Sequence, residues 1–178
     1  PAIMACSMAV LAMLREELGK DPVDGCEILM GHSLGEYSAY CASGSLSLAE
    51  TATLLRTRGQ AMQEAVPPGE GAMAAILGLD TKVVEEVCAQ ASAVGIVVLA
   101  NDNVEGQAVI SGGRAAVEAA SKLLSEKGAK RVVPLNVSAP FHSPLMEHAT
   151  QVMSSALQKA QFVHPTKPVL CNVDVTPV

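Results

Sequence analysis

Gly31-His32-Ser33-Leu34-Gly35 sets a serine between two glycines, directly after the apolar run at residues 27–30 and directly before a helical stretch that begins at Leu34. A strand that passes into a helix within five residues leaves few choices of fold, because such a unit belongs to an α/β layer. The turn is tight enough that both flanking positions are expected to need Gly, with Ser33 pushed out at the end of the strand. The start of the following helix adds a positive dipole end and free N–H groups. Leu34 N–H would then face an oxyanion, should Ser33 attack a carbonyl. A Gly/Ser turn with no chemistry carries the same letters, so the motif needs partners before it means anything.

Around this turn the chain alternates helices and strands. Residues 2–18 have a helical apolar period that stops at Gly19, and Asp21-Pro22 reads as a loop. Ser47 followed by Glu50 fits a capping box for a helix running to about residue 64. Pro67-Pro68-Gly69 then breaks the pattern. Beyond it a strand is expected at 72–77, a helix at 81–93, strands at 96–100 and 107–110 around the turn-rich 101–106, a helix at 114–127 and a strand at 131–137. The order βαββαβ is that of a ferredoxin-like split arrangement. A helix at 145–160 and a last strand at 169–175 return to the first layer. Pro1 has no Met before it and nothing follows to cover the last strand, so a chain cut from a longer one is expected at both ends.

Composition narrows the partners. Hydrophobic residues make up 49% and charged residues 17%, so a packed core is expected, with no disorder across the chain. Aromatics are only 2%, which makes that core aliphatic. A net charge of -6 argues against nucleic acid, and no apolar run is long enough to span a bilayer. The five cysteines form no CxxC pair and sit at no metal-ligand spacing, so free thiols in a reducing, cytoplasmic compartment and no metal are expected.

A serine nucleophile needs a base. Of the four histidines, His32 adjoins Ser33 and should point away to pack, while His148 and His164 read as solvated. His142 lies in Pro140-Phe141-His142-Ser143-Pro144, where two prolines stiffen a loop past the expected strand. That mount suits a base, although a loop histidine without a role fits the same residues. Arg58 lies three residues after Leu55, beside a stripe of Leu48, Ala52, Leu55, Gly59, Met62 and Val66 expected to face inward. Its guanidinium either grips a carboxylate in a cleft or lays its stem over apolar surface.

Four segments together carry a resemblance. Residues 31–39 (GHSLGEYSA), 58–65 (RGQAMQEA), 71–76 (GAMAAI) and 136–143 (NVSAPFHS) resemble, in order, the nucleophile motif, substrate-arginine helix, small-domain opening and histidine loop of malonyl-CoA:acyl carrier protein transacylases. The resemblance implies an α/β hydrolase-like core, partial here, at 1–69 and 139–178, with an inserted ferredoxin-like small domain at 70–138. It implies Ser33 as the acylated nucleophile, His142 as its base, Arg58 as the holder of the malonyl carboxylate and Leu34 N–H as half of the oxyanion hole. Met62 and Phe141 join the substrate-binding set, Phe141 as the ring that crowds a branched extender. The family's other oxyanion donor and the carbonyl that orients the histidine have no counterpart in these residues.

The function implied is transfer of malonyl from malonyl-CoA to an acyl carrier protein in fatty acid synthesis, by a monomer without cofactor. The alternatives are an acyltransferase domain of a polyketide synthase, or a serine ester or thioester hydrolase in which Asp80 or Asp102 orients His142. A non-enzymatic role, as a carrier-binding module or an inactive subunit, is a further one. An acidic carrier facing an acidic chain needs a local basic area. Lys130 and Arg131, near Arg114, Lys122 and Lys127, are the candidate docking face, and a plain solvated face fits them equally.

Overall fold

The computed structural model describes residues 1–137 and 139–178. Ser138, inside the expected histidine-loop motif, lies outside the described residues. The chain is of the α/β class and divides into two compact units, one made of Pro1–Gly59 with Met153–Val178 and the other of Gln60–Val152. Its helices are α1 (Ala2–Leu18), α2 (Leu34–Ala42), α3 (Leu48–Glu64), α4 (Thr81–Ala91), α5 (Arg114–Glu126) and α6 (Glu147–Lys159). Its strands are β1 (Gly71–Leu77), β2 (Val97–Val104), β3 (Gln107–Gly113) and β4 (Arg131–Pro134).

In the first unit, α1 ends where Gly19 takes a left-handed φ of 62° and donates its N–H to Glu16. Arg15 pairs with Asp21 at 2.7 Å, and Asp21 in turn caps the short 3-10 helix Pro22–Gly25 through Val23 N–H. The apolar period of α1 forms the helix but is not its buried face: Met4 is buried, while Ile3, Val10, Met13, Leu14 and Leu18 are exposed. Leu46, Leu54 and Met153 form a small core with Tyr37, Tyr40 and Leu157 around them. Residues 43–45 are tied to the segment before the C-terminus by four bonds, from Ser45 Oγ to Val163 O, Val163 N to Ser45 O, and both Thr166 N and Oγ1 to Ser43 O.

The strands expected at 27–30 and 169–175 are reduced to one parallel bridge between Leu29 and Val169. Leu29 N–H bonds Pro168 O and Leu170 N–H bonds Leu29 O, which is a single rung. The ladder ends there: Asn172 N–H, the next donor in register, goes to the Glu36 carboxylate, and the last ten residues fold back on themselves, with Val169 exchanging both backbone bonds with Val178 and Cys171 N–H going to Thr176 O. Half of the expected capping box forms. Ser47 Oγ accepts from Glu50 N–H at 3.2 Å, but the Glu50 carboxylate is taken by Gln161 N–H at 2.7 Å.

The second unit is built on an antiparallel sheet in the order β2-β3-β1-β4. β1 pairs with β3 from Gly71↔Gly113 to Leu77↔Gln107, and with β4 from Ala74↔Pro134 to Leu77↔Arg131. One face of the sheet carries Ala74, Ile76, Ala108 and Ile110, alternating by two along each strand. Against it pack Val84, Val87, Cys88 and Ala91 of α4 and Ala116, Val117, Ala120 and Leu124 of α5, at helical spacing. Each fully buried Val, Ile or Leu contributes roughly 1.5–3 kcal/mol. β2 runs on through the Asn/Asp-rich stretch expected as a turn, because two register shifts, between Leu99/Asn101 and Asp102/Val104, absorb it. The turn shrinks to Glu105-Gly106, with Gly106 at φ 76°. β4 ends at Pro134, short of the expected residue 137.

Candidate active site

Ser33 stands at the N-terminal boundary of α2 with φ 53° and ψ −105°. A non-glycine backbone in that region costs about 1–3 kcal/mol and persists only where its surroundings hold it. Gly31 is required sterically, since a Cβ there would lie 2.0 Å from the carbonyl carbon of Gly35. Gly35 is not: a Cβ at that position meets nothing within 4 Å. The expectation that both flanking glycines are forced is thus corrected at Gly35, which already lies in α2 and points its hydrogen to open space. Leu34 opens α2, so its N–H has no carbonyl of the same helix to bond. His32 is exposed.

Arg58 Nη2 donates to Ser33 Oγ at 2.8 Å, and the guanidinium lies 5.9 Å above the Tyr37 ring. Burial pushes the Tyr37 phenol above its ordinary range against the pull of the Arg58 charge. The inner face of α3 differs from the expected stripe. Leu48 is 55% exposed, whereas Thr51, Leu54 and Leu55 are buried. Arg58 follows Thr51 by seven and Leu55 by three positions, so it continues the buried face and does not flank it.

Asn172 went unnoticed in the sequence. Its Oδ1 accepts from Ser33 N–H at 2.7 Å, its Nδ2 donates to Gly31 O at 2.8 Å, and its own N–H donates to Glu36 Oε2 at 2.9 Å. It is 139 positions from Ser33, and the signal that could have found it is register: Leu29 bridged to Val169 brings the residues just beyond each bridge partner together.

Met62, Phe141, His142, Lys130 and Arg131 belong to the second unit. There the histidine loop is held by packing and by short bonds. Gly71 lacks the Cβ that would strike Pro140 Cδ at 2.3 Å, which lets the buried Pro140 lie on the start of β1. Ser143 Oγ donates to Pro140 O at 2.7 Å, Phe141 N–H bonds Ala139 O, and Pro144 opens a 3-10 turn. His142 is exposed at φ 56°, while Phe141 and Met62 are half-buried. Lys130 and Arg131 are exposed, the Lys130 stem lying where a Gly78 side chain would be. Asp80 Oδ1 caps α4 by accepting from Lys82 N–H at 2.8 Å, and Asp102 is exposed on β2 opposite Ala108. Among the described residues, no three of His, Cys, Asp and Glu gather as metal ligands, and no helix is long and apolar enough to cross a membrane.

The chain is 45% identical over 175 residues to the malonyl CoA-acyl carrier protein transacylase of Haemophilus influenzae, covering 98% of this chain and 55% of that protein. It thus spans about half the length of the curated relatives it matches. The crystal structure of an acyl-carrier-protein S-malonyltransferase from Bartonella henselae matches with a TM-score of 0.95 at 52% identity, covering 100% of this chain and 56% of the other. A malonyl-transacylase solved in complex with a type II PKS acyl-carrier protein matches with a TM-score of 0.94 at 40% identity, again over 100% of this chain and 56% of the other. The model of the acyl transferase domain matches residues 1–177, and the chain belongs to that family.

Proposed function

We propose that the protein transfers malonyl from malonyl-CoA to the pantetheine thiol of an acyl carrier protein through a malonyl ester on Ser33, supplying fatty acid synthesis. The observation that carries this reading is the 2.8 Å bond from Arg58 Nη2 to Ser33 Oγ. A malonyl group on Ser33 ends in a carboxylate one methylene from the ester carbonyl. A cation already beside the nucleophile needs only a small swing to meet it in two parallel hydrogen bonds.

In the first step His142 takes the Ser33 hydroxyl proton as Oγ bonds to the thioester carbonyl carbon. Leu34 N–H donates to the oxyanion. The C–S bond breaks and coenzyme A leaves with the proton from His142. In the second step the carrier thiol gives its proton to His142 and attacks the ester, and Ser33 leaves and is reprotonated. One thioester replaces another, so neither metal nor cofactor enters. Phe141 and Met62 bound the acyl group, and the protein acts as a cytoplasmic monomer. The same reading makes the second unit a ferredoxin-like insertion, near 70–138, in a hydrolase-like core of 1–69 and 139–178. The order β1-α4-β2-β3-α5-β4 and the sheet order β2-β3-β1-β4 support it. A hydrolase triad is disfavoured because Asp80 is spent as a helix cap and Asp102 stands exposed on β2 opposite Ala108.

The test is intact-mass and peptide analysis after mixing with malonyl-CoA. A malonyl adduct on Ser33, absent from Ser33→Ala and discharged by the thiol of a phosphopantetheinylated carrier, is expected. No adduct, or discharge to water alone, would end the transferase reading.

A further inference from the structure

The single rung between the two chain segments explains why an asparagine stands at position 172. Leu29 and Leu170 share a backbone hydrogen bond, and two residues further on the ladder would reach Gly31 and Asn172. It cannot continue there, because the chain turns sharply at Gly31 to lift Ser33. The Asn172 side chain makes the missing rung, donating through Nδ2 to Gly31 O at 2.8 Å and accepting through Oδ1 from Ser33 N–H at 2.7 Å. A carboxamide supplies a donor and an acceptor from one planar group, which a carboxylate or a hydroxyl cannot do in this spacing. The Asn172 backbone is itself held, its N–H donating to Glu36 Oε2 at 2.9 Å in the first turn of α2. The bracket therefore closes on both sides of Ser33, the residue whose φ of 53° no local preference supports.

We propose that Asn172 is a positioning residue for the nucleophile: its carboxamide fixes the strained Ser33 backbone and so aims Oγ for acylation. This rests on the reading of Ser33 as the acylated residue. Asn172 touches neither substrate nor the reacting oxygen, so its removal acts on the rate of acylation and leaves malonyl-CoA binding intact.

The experiment compares wild type, Asn172→Ala and Asn172→Asp by three measurements: amide hydrogen exchange at Ser33 by NMR, kcat and KM for malonyl transfer, and the melting temperature. In Asn172→Ala, exchange at Ser33 should rise at least about tenfold and kcat fall roughly 10- to 100-fold, with KM for malonyl-CoA within about twofold. Asn172→Asp keeps the acceptor for Ser33 N–H and loses the donor to Gly31 O. It should hold Ser33 exchange near wild type with an intermediate kcat, and it decides the matter if the alanine variant does not fold. Unchanged Ser33 exchange in Asn172→Ala, or raised exchange with an unchanged kcat, overturns the proposal. A loss of activity that resides in KM overturns it as well. If wild type itself takes no malonyl on Ser33, the transferase reading fails, and Ser33 exchange still decides whether Asn172 holds the turn.

Discussion

Arg58 Nη2 lies 2.8 Å from Ser33 Oγ and donates to it, so the cation of α3 and the hydroxyl at the head of α2 form one polar contact. A guanidinium in that place favours negative charge on the oxygen it touches. On the proposed function it is also the group that would meet the distal carboxylate of the acyl chain. The Arg58 guanidinium carbon lies 5.9 Å from the Tyr37 ring centroid, within range of a cation–π attraction that uses none of its N–H donors.

Arg58→Ala should therefore separate malonyl from acetyl transfer. Loss of a largely desolvated charge-assisted pair costs about 2–4 kcal/mol, or roughly 30- to 700-fold in kcat/KM. That loss applies to malonyl-CoA, whereas acetyl-CoA has no carboxylate to miss. Arg58→Lys keeps the charge but not the paired donors and should fall between. Steady-state kinetics with both thioesters check this, and equal losses for the two would remove the carboxylate role.

The two glycines of the turn should respond differently. Gly31→Ala forces a Cβ to within 2.0 Å of the Gly35 backbone, which cannot yield as a flexible side chain would. Overpacking of this kind costs about 1–3 kcal/mol or more, and transfer should be lost with it. Gly35→Ala meets open space inside a helix and should be neutral or stabilise by about 0.5–1 kcal/mol. Thermal melts of the two variants decide it.

What the residues revealed beforehand follows the range of the interaction. The elements of the second unit repeat local patterns, two along β1 and β3 and three to four along α4 and α5, so their order could be read. The Ser33 turn was legible because the residues that shape it lie within five positions. Resemblance picked out Arg58, but the buried face of its helix differs from the expected one: an apolar count chose Leu48, while the fold buried Thr51, whose hydroxyl is satisfied by the carbonyl of Ser47 just before the helix. Asn172 was invisible, since its role exists only once residues 139 positions apart are in register. The expected strands at 27–30 and 169–175 failed for a related reason. Apolar letters say that a strand can form, but where its hydrogen bonds go depends on the neighbour, and here the next donor in register, Asn172 N–H, is taken by the Glu36 side chain.

Cys88 gives a pH signature. Burial first, and the Glu85 charge second, push its thiol from 9.0 up to about 11. The folded state thus favours the neutral thiol. Its contribution is complete below pH 9.0 and is lost as pH rises through about 11. The melting temperature of wild type should fall more steeply across that window than that of Cys88→Ala. At pH 8 the exposed Cys6 should be alkylated by iodoacetamide well before the buried Cys88.

The basic stretch of the second unit offers a test of carrier docking. α5 turns Ala116, Val117, Ala120 and Leu124 to the sheet, which leaves Lys122 and Lys127 outward, and Lys130 and Arg131 follow at the exposed start of β4. Glu118 and Glu126 on the same helix dilute the charge, so a docking role would rest mainly on Lys130 and Arg131. Reversal of both to Glu should raise KM for an acidic carrier about fivefold or more at low salt and leave KM for malonyl-CoA unchanged. The difference should shrink as salt rises, because exposed charges act through a screened field. Both residues lie outside the Ser33 turn, so kcat at saturating carrier should hold. A carrier KM that does not move at low salt would leave these side chains as an ordinary solvated face and send the search for the docking site elsewhere.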